Sequence, residues 1–173
     1  MNKPLALGIA LILGGLSYGG DASAAAPACD RACLTALITQ YVDALVAHDP
    51  AKLTVGPKVR YTEDSKTAKL GEGLWKSVTG KTAFRQDYID TARQVAAAHV
   101  ELREGDRPVL YSVVLHVEDR KIAGIETLVQ RVAADSRLKP TELARPIRGM
   151  GDPVPAGKRQ SREAMVKTAL LYP

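Results

Sequence analysis

The chain has 173 residues, 46% of them hydrophobic and 25% charged, with a formal charge of +5. That is enough apolar material for one domain of ordinary size plus an appendage. The charge distribution argues against a nucleic-acid binder: residues 25–132 hold fifteen basic and fourteen acidic side chains, and residues 133–173 hold eight and four. The body is therefore nearly neutral, and with only 5% aromatic residues it lacks the basic, aromatic-laced stripe such a surface needs.

The chain opens with Lys3, an apolar run from Pro4 to Gly20, and the small-x-small triplet Ala22-Ser23-Ala24. This is the pattern of a cleaved signal peptide over residues 1–24, with cleavage after Ala24 or Ala26. The run falls short of the roughly 20 apolar residues that cross a bilayer, so no stable membrane anchor is expected. A periplasmic or secreted location follows. Gly15-Leu16-Ser17-Tyr18-Gly19 matches a nucleophile-elbow pattern but carries no chemistry inside a signal.

Cys29 and Cys33 are the only cysteines. In an oxidising compartment they read as a local disulfide, with free thiols and a metal site as alternatives; no cofactor or metal motif surrounds them or His48, His99 and His116. Next, Leu34, Leu37, Ile38, Tyr41, Val42, Leu45 and Val46 repeat at three-four spacing, which predicts an amphipathic helix capped by Asp30. His48-Asp49-Pro50 ends it, and Asp49 can cap a short second helix.

Val59 to Asp64 and Ala68 to Trp75 read as extended segments around a turn at Ser65-Lys66-Thr67, and Gly71-x-Gly73 as a bend or bulge. Thr82 to Thr91 reads as a loop or short helix. Arg93 to Leu102, Val109 to Glu118 and Ile122 to Arg131 predict an antiparallel meander. A two-residue turn at Asp119-Arg120 sets Val117 opposite Ile122, Leu115 opposite Gly124 and Val113 opposite Glu126. With period-two alternation, this register puts Tyr111, Val113, Leu115, Val117, Ile122, Glu126 and Leu128 on one face, toward the helices. Val95, His99, Glu101, Ser112, Val114, His116, Ile125 and Thr127 then line the opposite face, which could be solvated or form a homodimer interface.

Two helices followed by a curved antiparallel sheet is the element order of the NTF2-like cone, an α+β fold with a pocket between helices and sheet. Cys29-Asp30-Arg31-Ala32-Cys33-Leu34, Tyr61-Thr62-Glu63-Asp64, Leu70-Gly71-Glu72-Gly73-Leu74-Trp75 and Ile122-Ala123-Gly124-Ile125-Glu126-Thr127-Leu128 resemble an exported SnoaL-like family of undetermined function, the DUF8021 type, over about Cys29 to Arg131. The chain departs from the expected pattern at Asp64, in place of an asparagine, and at Gly124, in place of a carboxylate. The resemblance implies a pocket for a small, largely apolar organic molecule, used by some relatives for isomerase, dehydratase or lyase chemistry and by others for binding alone.

Within that pocket Glu126 is the expected proton shuttle, since a carboxylate on an apolar face is desolvated and fit to exchange a proton. Tyr41 or Glu63 is its expected polarising partner, and Tyr61, Trp75, Tyr111 and Val113 the expected ligand-binding residues. The alternative is a non-catalytic binding or dimerisation module. From Ala133 the chain becomes basic and proline-interrupted, an extended arm over residues 133–160. Ser161 then caps a short amphipathic helix, carrying Met165, Val166, Ala169 and Leu170 on one stripe.

Overall fold

A computed structural model of the chain describes residues 28–137 and 154–172; the expected signal peptide and most of the expected arm lie outside these. Helix α1 spans Arg31–Val46. Its N-terminus forms where expected: the Asp30 carboxylate accepts the Cys33 N–H at 2.8 Å, satisfying one of the donors that a first turn leaves open. Cys29 and Cys33 are disulfide-bonded. The Gln94 side chain grips Cys29 from both sides, accepting its N–H at 2.7 Å and donating to its carbonyl at 2.9 Å, so the helix start is fastened to a distant hairpin. After His48, with φ at +54°, Asp49 caps the single 3-10 turn Pro50–Lys52 by accepting the Ala51 N–H.

Six strands follow: β1 Val55–Glu63, β2 Lys66–Thr67, β3 Gly80–Asp90, β4 Val95–Glu104, β5 Arg107–Glu118 and β6 Lys121–Arg131. They form one sheet in the order β2-β1-β6-β5-β4-β3. Two expectations are corrected here. The sheet is mixed and not purely antiparallel, because the returning β6 lies parallel to β1. The segment expected to be a loop or short helix is the long strand β3, an edge strand that pairs only with β4; with one neighbour and one half-buried face it needs few apolar residues, and so shows no apolar alternation.

The α1 face carrying Leu34, Ile38, Tyr41 and Leu45 is fully buried, and the helix lies against β3 and β4. Arg85 on β3 ties the two, holding Asp87 in a fork at 2.7 Å and donating to the Thr35 carbonyl and the Thr39 hydroxyl. The inner sheet face is apolar: Ala96, Ala98, Val100 and Leu102 on β4, and Val109, Tyr111, Val113, Leu115 and Val117 on β5, are all buried.

The turn between β5 and β6 is the expected two-residue one, with Asp119 and Arg120 both at positive φ, the primed geometry that matches strand twist. Val117 opposes Ile122 as expected, but His116 then opposes Gly124, leaving Ala123 as an extra residue on β6. This bulge reverses the parity of the rest of the strand. Leu115 faces Ile125 and Val113 faces Thr127, while Glu126 pairs with Val114. Ile125 and Thr127 are buried, whereas Leu128 is exposed and the Glu126 side chain 63% exposed. The expected inward placement of Glu126 and Leu128, and the outward placement of Ile125 and Thr127, are all overturned by this one inserted residue.

Beyond the sheet, Ser161 caps helix α2, Arg162–Ala169, by accepting the Ala164 N–H. Arg162 pairs with Asp90 at the end of β3 and holds its carboxyl below the usual range. Met165, Val166 and Leu170 are exposed.

Candidate functional site

A cluster of polar groups converges between α1, β1, β5, β6 and the 3-10 turn Gly73–Lys76, apart from the buried Glu101 of β4, which bonds Thr82 and Arg103 on the other side of the sheet. Tyr41 reaches the interior because it continues the buried stripe of α1, and Tyr111 because it sits on the inner parity of β5. Their hydroxyls lie 2.8 Å apart, both fully enclosed. A hydroxyl carries one proton, so whichever tyrosine donates within the pair, the other's proton is turned elsewhere, with the Tyr61 hydroxyl acting on Tyr41 and the Thr127 hydroxyl on Tyr111.

Trp75 packs its ring edge-on against Tyr41, with centroids 5.6 Å apart and planes at 90°. It is 1% exposed, and its Nε1–H has no acceptor. A buried donor left unpaired costs on the order of 1–3 kcal/mol, so the position is one that an acceptor would stabilise. The turn carrying Trp75 is pinned from two sides. His48 Nδ1 bonds the Trp75 carbonyl, and the Glu63 carboxylate accepts the Leu74 N–H at 3.0 and 3.3 Å through its two oxygens.

Glu63 also accepts the Tyr61 hydroxyl at 2.8 Å. Tyr61 and Glu63 share one side of β1, two residues apart, as the sequence implies. Gly73 makes room for the carboxylate: its φ is +65°, and a Cβ there would sit 2.2 Å from Glu63 Oε1. Of the Gly71-x-Gly73 pair expected as a bend, Gly71 turns the chain at positive φ beside Pro50 and Gly73 is the seat for Glu63 at the entrance to the 3-10 turn. Thr127 completes the cluster, buried on β6 and donating to the Thr62 carbonyl at 2.9 Å; it acts on the ionisation of both Tyr61 and Tyr111.

Burial is the leading influence on all three phenols. It pushes Tyr41 and Tyr61 above the usual phenol range and Tyr111 well above it, since a phenolate would lose hydration here without gaining a cation. They are neutral donors at physiological pH. The cluster thus offers hydrogen bonds without positive charge, a setting for a neutral acceptor and not for an anion.

Of the residues expected from the sequence, Tyr41, Tyr61, Glu63, Trp75, Tyr111 and Val113 are brought to the interior, Val113 as apolar wall. Glu126 is not among them; on the outer face it accepts from His116 Nε2 at 2.8 Å. Sequence reasoning missed Thr127, placed outward by the unbulged register, and the backbone N–H of Leu74. The only trace of the bulge is the adjacent small pair Ala123-Gly124. Among the described residues no group of three or more His, Cys, Asp or Glu side chains could hold a metal, and no helix is long and apolar enough to cross a membrane.

The family described as "Domain of unknown function (DUF8021)" matches residues 28–129. No curated protein matches the chain. Among solved structures, a protein of unknown function with cystatin-like fold from Methylobium petroleophilum PM1 is 13% identical, with 74% of this chain and 100% of that chain covered at a TM-score of 0.50. An NTF2-like protein of unknown function from Cytophaga hutchinsonii ATCC 33406 is 10% identical, covering 65% and 95% at 0.44. An LEH-like epoxide hydrolase from M. tuberculosis is 14% identical, covering 57% and 84% at 0.39. At such identities a likeness shows the fold alone, and at a TM-score of 0.50 it is that of the protein described as having a cystatin-like fold.

Proposed function

The chain belongs to the DUF8021 family, and within that family we propose that it is an exported domain whose cone binds a small, apolar, neutral organic molecule carrying one hydrogen-bond acceptor, such as a carbonyl. The observation that carries this reading is the buried, unpaired Trp75 Nε1–H beside a pair of buried phenols. A carbonyl oxygen that accepts from Trp75, with a phenol proton turned toward it, would supply the acceptor that the indole lacks. Two neutral donors on one oxygen also stabilise negative charge as it develops there, which suits enolising chemistry of the isomerase, dehydratase or lyase kind. Glu63 is the carboxylate available for the proton, in place of Glu126.

A second reading, binding without turnover, is favoured by a specific observation: Glu63 already accepts from Tyr61 and Leu74, and acts as a brace for the turn. The disulfide at Cys29 and Cys33 is compatible with export.

Trp75 is the chain's only tryptophan, so its fluorescence reports the site. Titration with cyclohexanone should quench it saturably, and methylenecyclohexane, of similar shape but without the acceptor, should bind at least about tenfold more weakly. Equal binding of the two, or none of the ketone, would overturn the proposal. Deuterium incorporation next to the ketone carbonyl in D2O, abolished by Glu63→Gln with ketone binding retained, would favour the enzyme; binding without exchange would favour the binding module.

A further inference from the structure

The bulge that expels Glu126 builds something on the outer side of the sheet. Two register breaks meet there: the Ala123 bulge between β5 and β6, and an irregularity between β1 and β6 that runs from Val55 to Arg60. Pairing is loosened on both sides of one short stretch of β6, and bulges tend to re-aim side chains in this way. The result is an outer cleft of about 680 Å³, with Arg60, Thr62, Ser65, Thr67, His116 and Glu126 on its walls and Ala123, Gly124 and Ile125 beneath. A second cleft of about 380 Å³, lined by Lys58 and Lys121 among others, adjoins it through the shared residues Arg60, Glu118 and Ala123.

The two ends of this groove differ in chemistry. At the β1 end stand three cations, Lys58, Arg60 and Lys121, none with an ion-pair partner among the described residues; Glu118 and Asp119 stand beside them and leave a net positive charge. At the other end the Glu126 carboxylate can only accept hydrogen bonds, so it calls for a hydroxyl or N–H. Its partnership with His116 Nε2 fixes the proton on that nitrogen and leaves Nδ1 as an acceptor in the neutral ring. The hydroxyls of Thr62, Ser65 and Thr67 both donate and accept. Gly124 lies under the His116 ring, where even an added Cβ would be in ordinary contact with the imidazole Cδ2 at 3.4 Å, and the small floor is apolar enough to carry C–H groups.

We propose that this outer groove is a second binding site, separate from the cone, for a carboxylated polyol of the sugar-acid class. Its carboxylate pairs with Arg60 at the cationic end, and its hydroxyls donate to Glu126 and bond the threonine and serine hydroxyls at the other. A purely apolar molecule gains little there, and a bare anion meets Glu126, Glu118 and Asp119 without anything to donate to them.

Titration of the intact chain, followed by amide NMR, tests this with D-glucuronate, D-glucose and acetate as probes. Saturable shifts at Thr62, His116 and Gly124 are expected with glucuronate, and binding about tenfold weaker with glucose or acetate. Arg60→Gln and Glu126→Gln should each weaken glucuronate about tenfold, the effect of losing one charge-assisted hydrogen bond. Both positions are exposed, so circular dichroism should be unchanged in both variants. Absence of saturable binding, acetate binding as tight as glucuronate, or glucuronate binding that survives either substitution would overturn the site.

Discussion

The two faces of one sheet treat the same side-chain chemistry in opposite ways. Inside, Glu63 is held by a tyrosine hydroxyl and a backbone N–H, seated against a glycine that makes room for it. Outside, the exposed Glu126 carboxylate pairs with His116 alone among the described residues. Partial burial and two donors make the first a brace whose loss leaves those donors stranded, and exposure gives the second little structural weight. The worth of a carboxylate is thus set by parity along a strand, and parity by one inserted residue.

The largest separation between the faces should come from truncating their big side chains. Trp75→Ala is expected to cost about 3–5 kcal/mol, as large buried aromatics do, read as a fall in the urea midpoint. Leu128→Ala on the outer face, 57% exposed, should stay within about 0.5 kcal/mol. A comparable loss at Leu128 would mean that the outer face is covered.

The brace can be tested by its coupling. Glu63→Ala should cost about 2–3 kcal/mol, because the Tyr61 hydroxyl and Leu74 N–H lose their acceptor. Gly73→Ala should cost about 3 kcal/mol, from both the clash with Glu63 and the left-handed backbone. In the Glu63→Ala background only the backbone part remains, about 1 kcal/mol. Additive losses would show that Gly73 does not seat the carboxylate.

Alkaline pH separates the faces by titration. The three interior phenols have folded-state pKa values above their unfolded ones. The unfolded chain therefore loses protons first, and stability present below about pH 10 falls as pH rises beyond it. Each such phenol contributes a slope of about 1.4 kcal/mol per pH unit. Tyr111→Phe should make denaturant midpoints fall less steeply above pH 10, and an unchanged slope would contradict the buried cluster.

The smallest effect is expected at the hairpin that sets the parity. Arg120 adopts φ +62°, so Arg120→Gly should stabilise by about 0.5–1 kcal/mol by relieving the left-handed conformation. Thermal unfolding would show a rise of a few degrees.

Much of the interior cluster is legible in the sequence because it rests on local periodicities. Tyr41 follows from the three-four stripe of α1, and Tyr61 with Glu63 from period two on β1. Tyr111 and Val113 follow from period two on β5, whose register near the turn is set by Asp119-Arg120. Cap, turn and stripe each depend on residues within a few positions of one another, so these residues alone determine them.

Glu126, Thr127 and β3 were decided elsewhere. No residue type announces a bulge, and Ala123 is squeezed out only when β6 must pair with β5 on one side and with a parallel β1 on the other. β3 lacks alternation because an edge strand draws its order from β4 and from the Arg85 hydrogen bonds to Thr35 and Thr39 of α1. Backbone pairing across the sheet is a non-local constraint, and it overrides local pattern wherever a strand must satisfy two neighbours at once. The sequence by itself therefore determined which residues could enter the cone, and the pairing of the assembled sheet decided which carboxylate did.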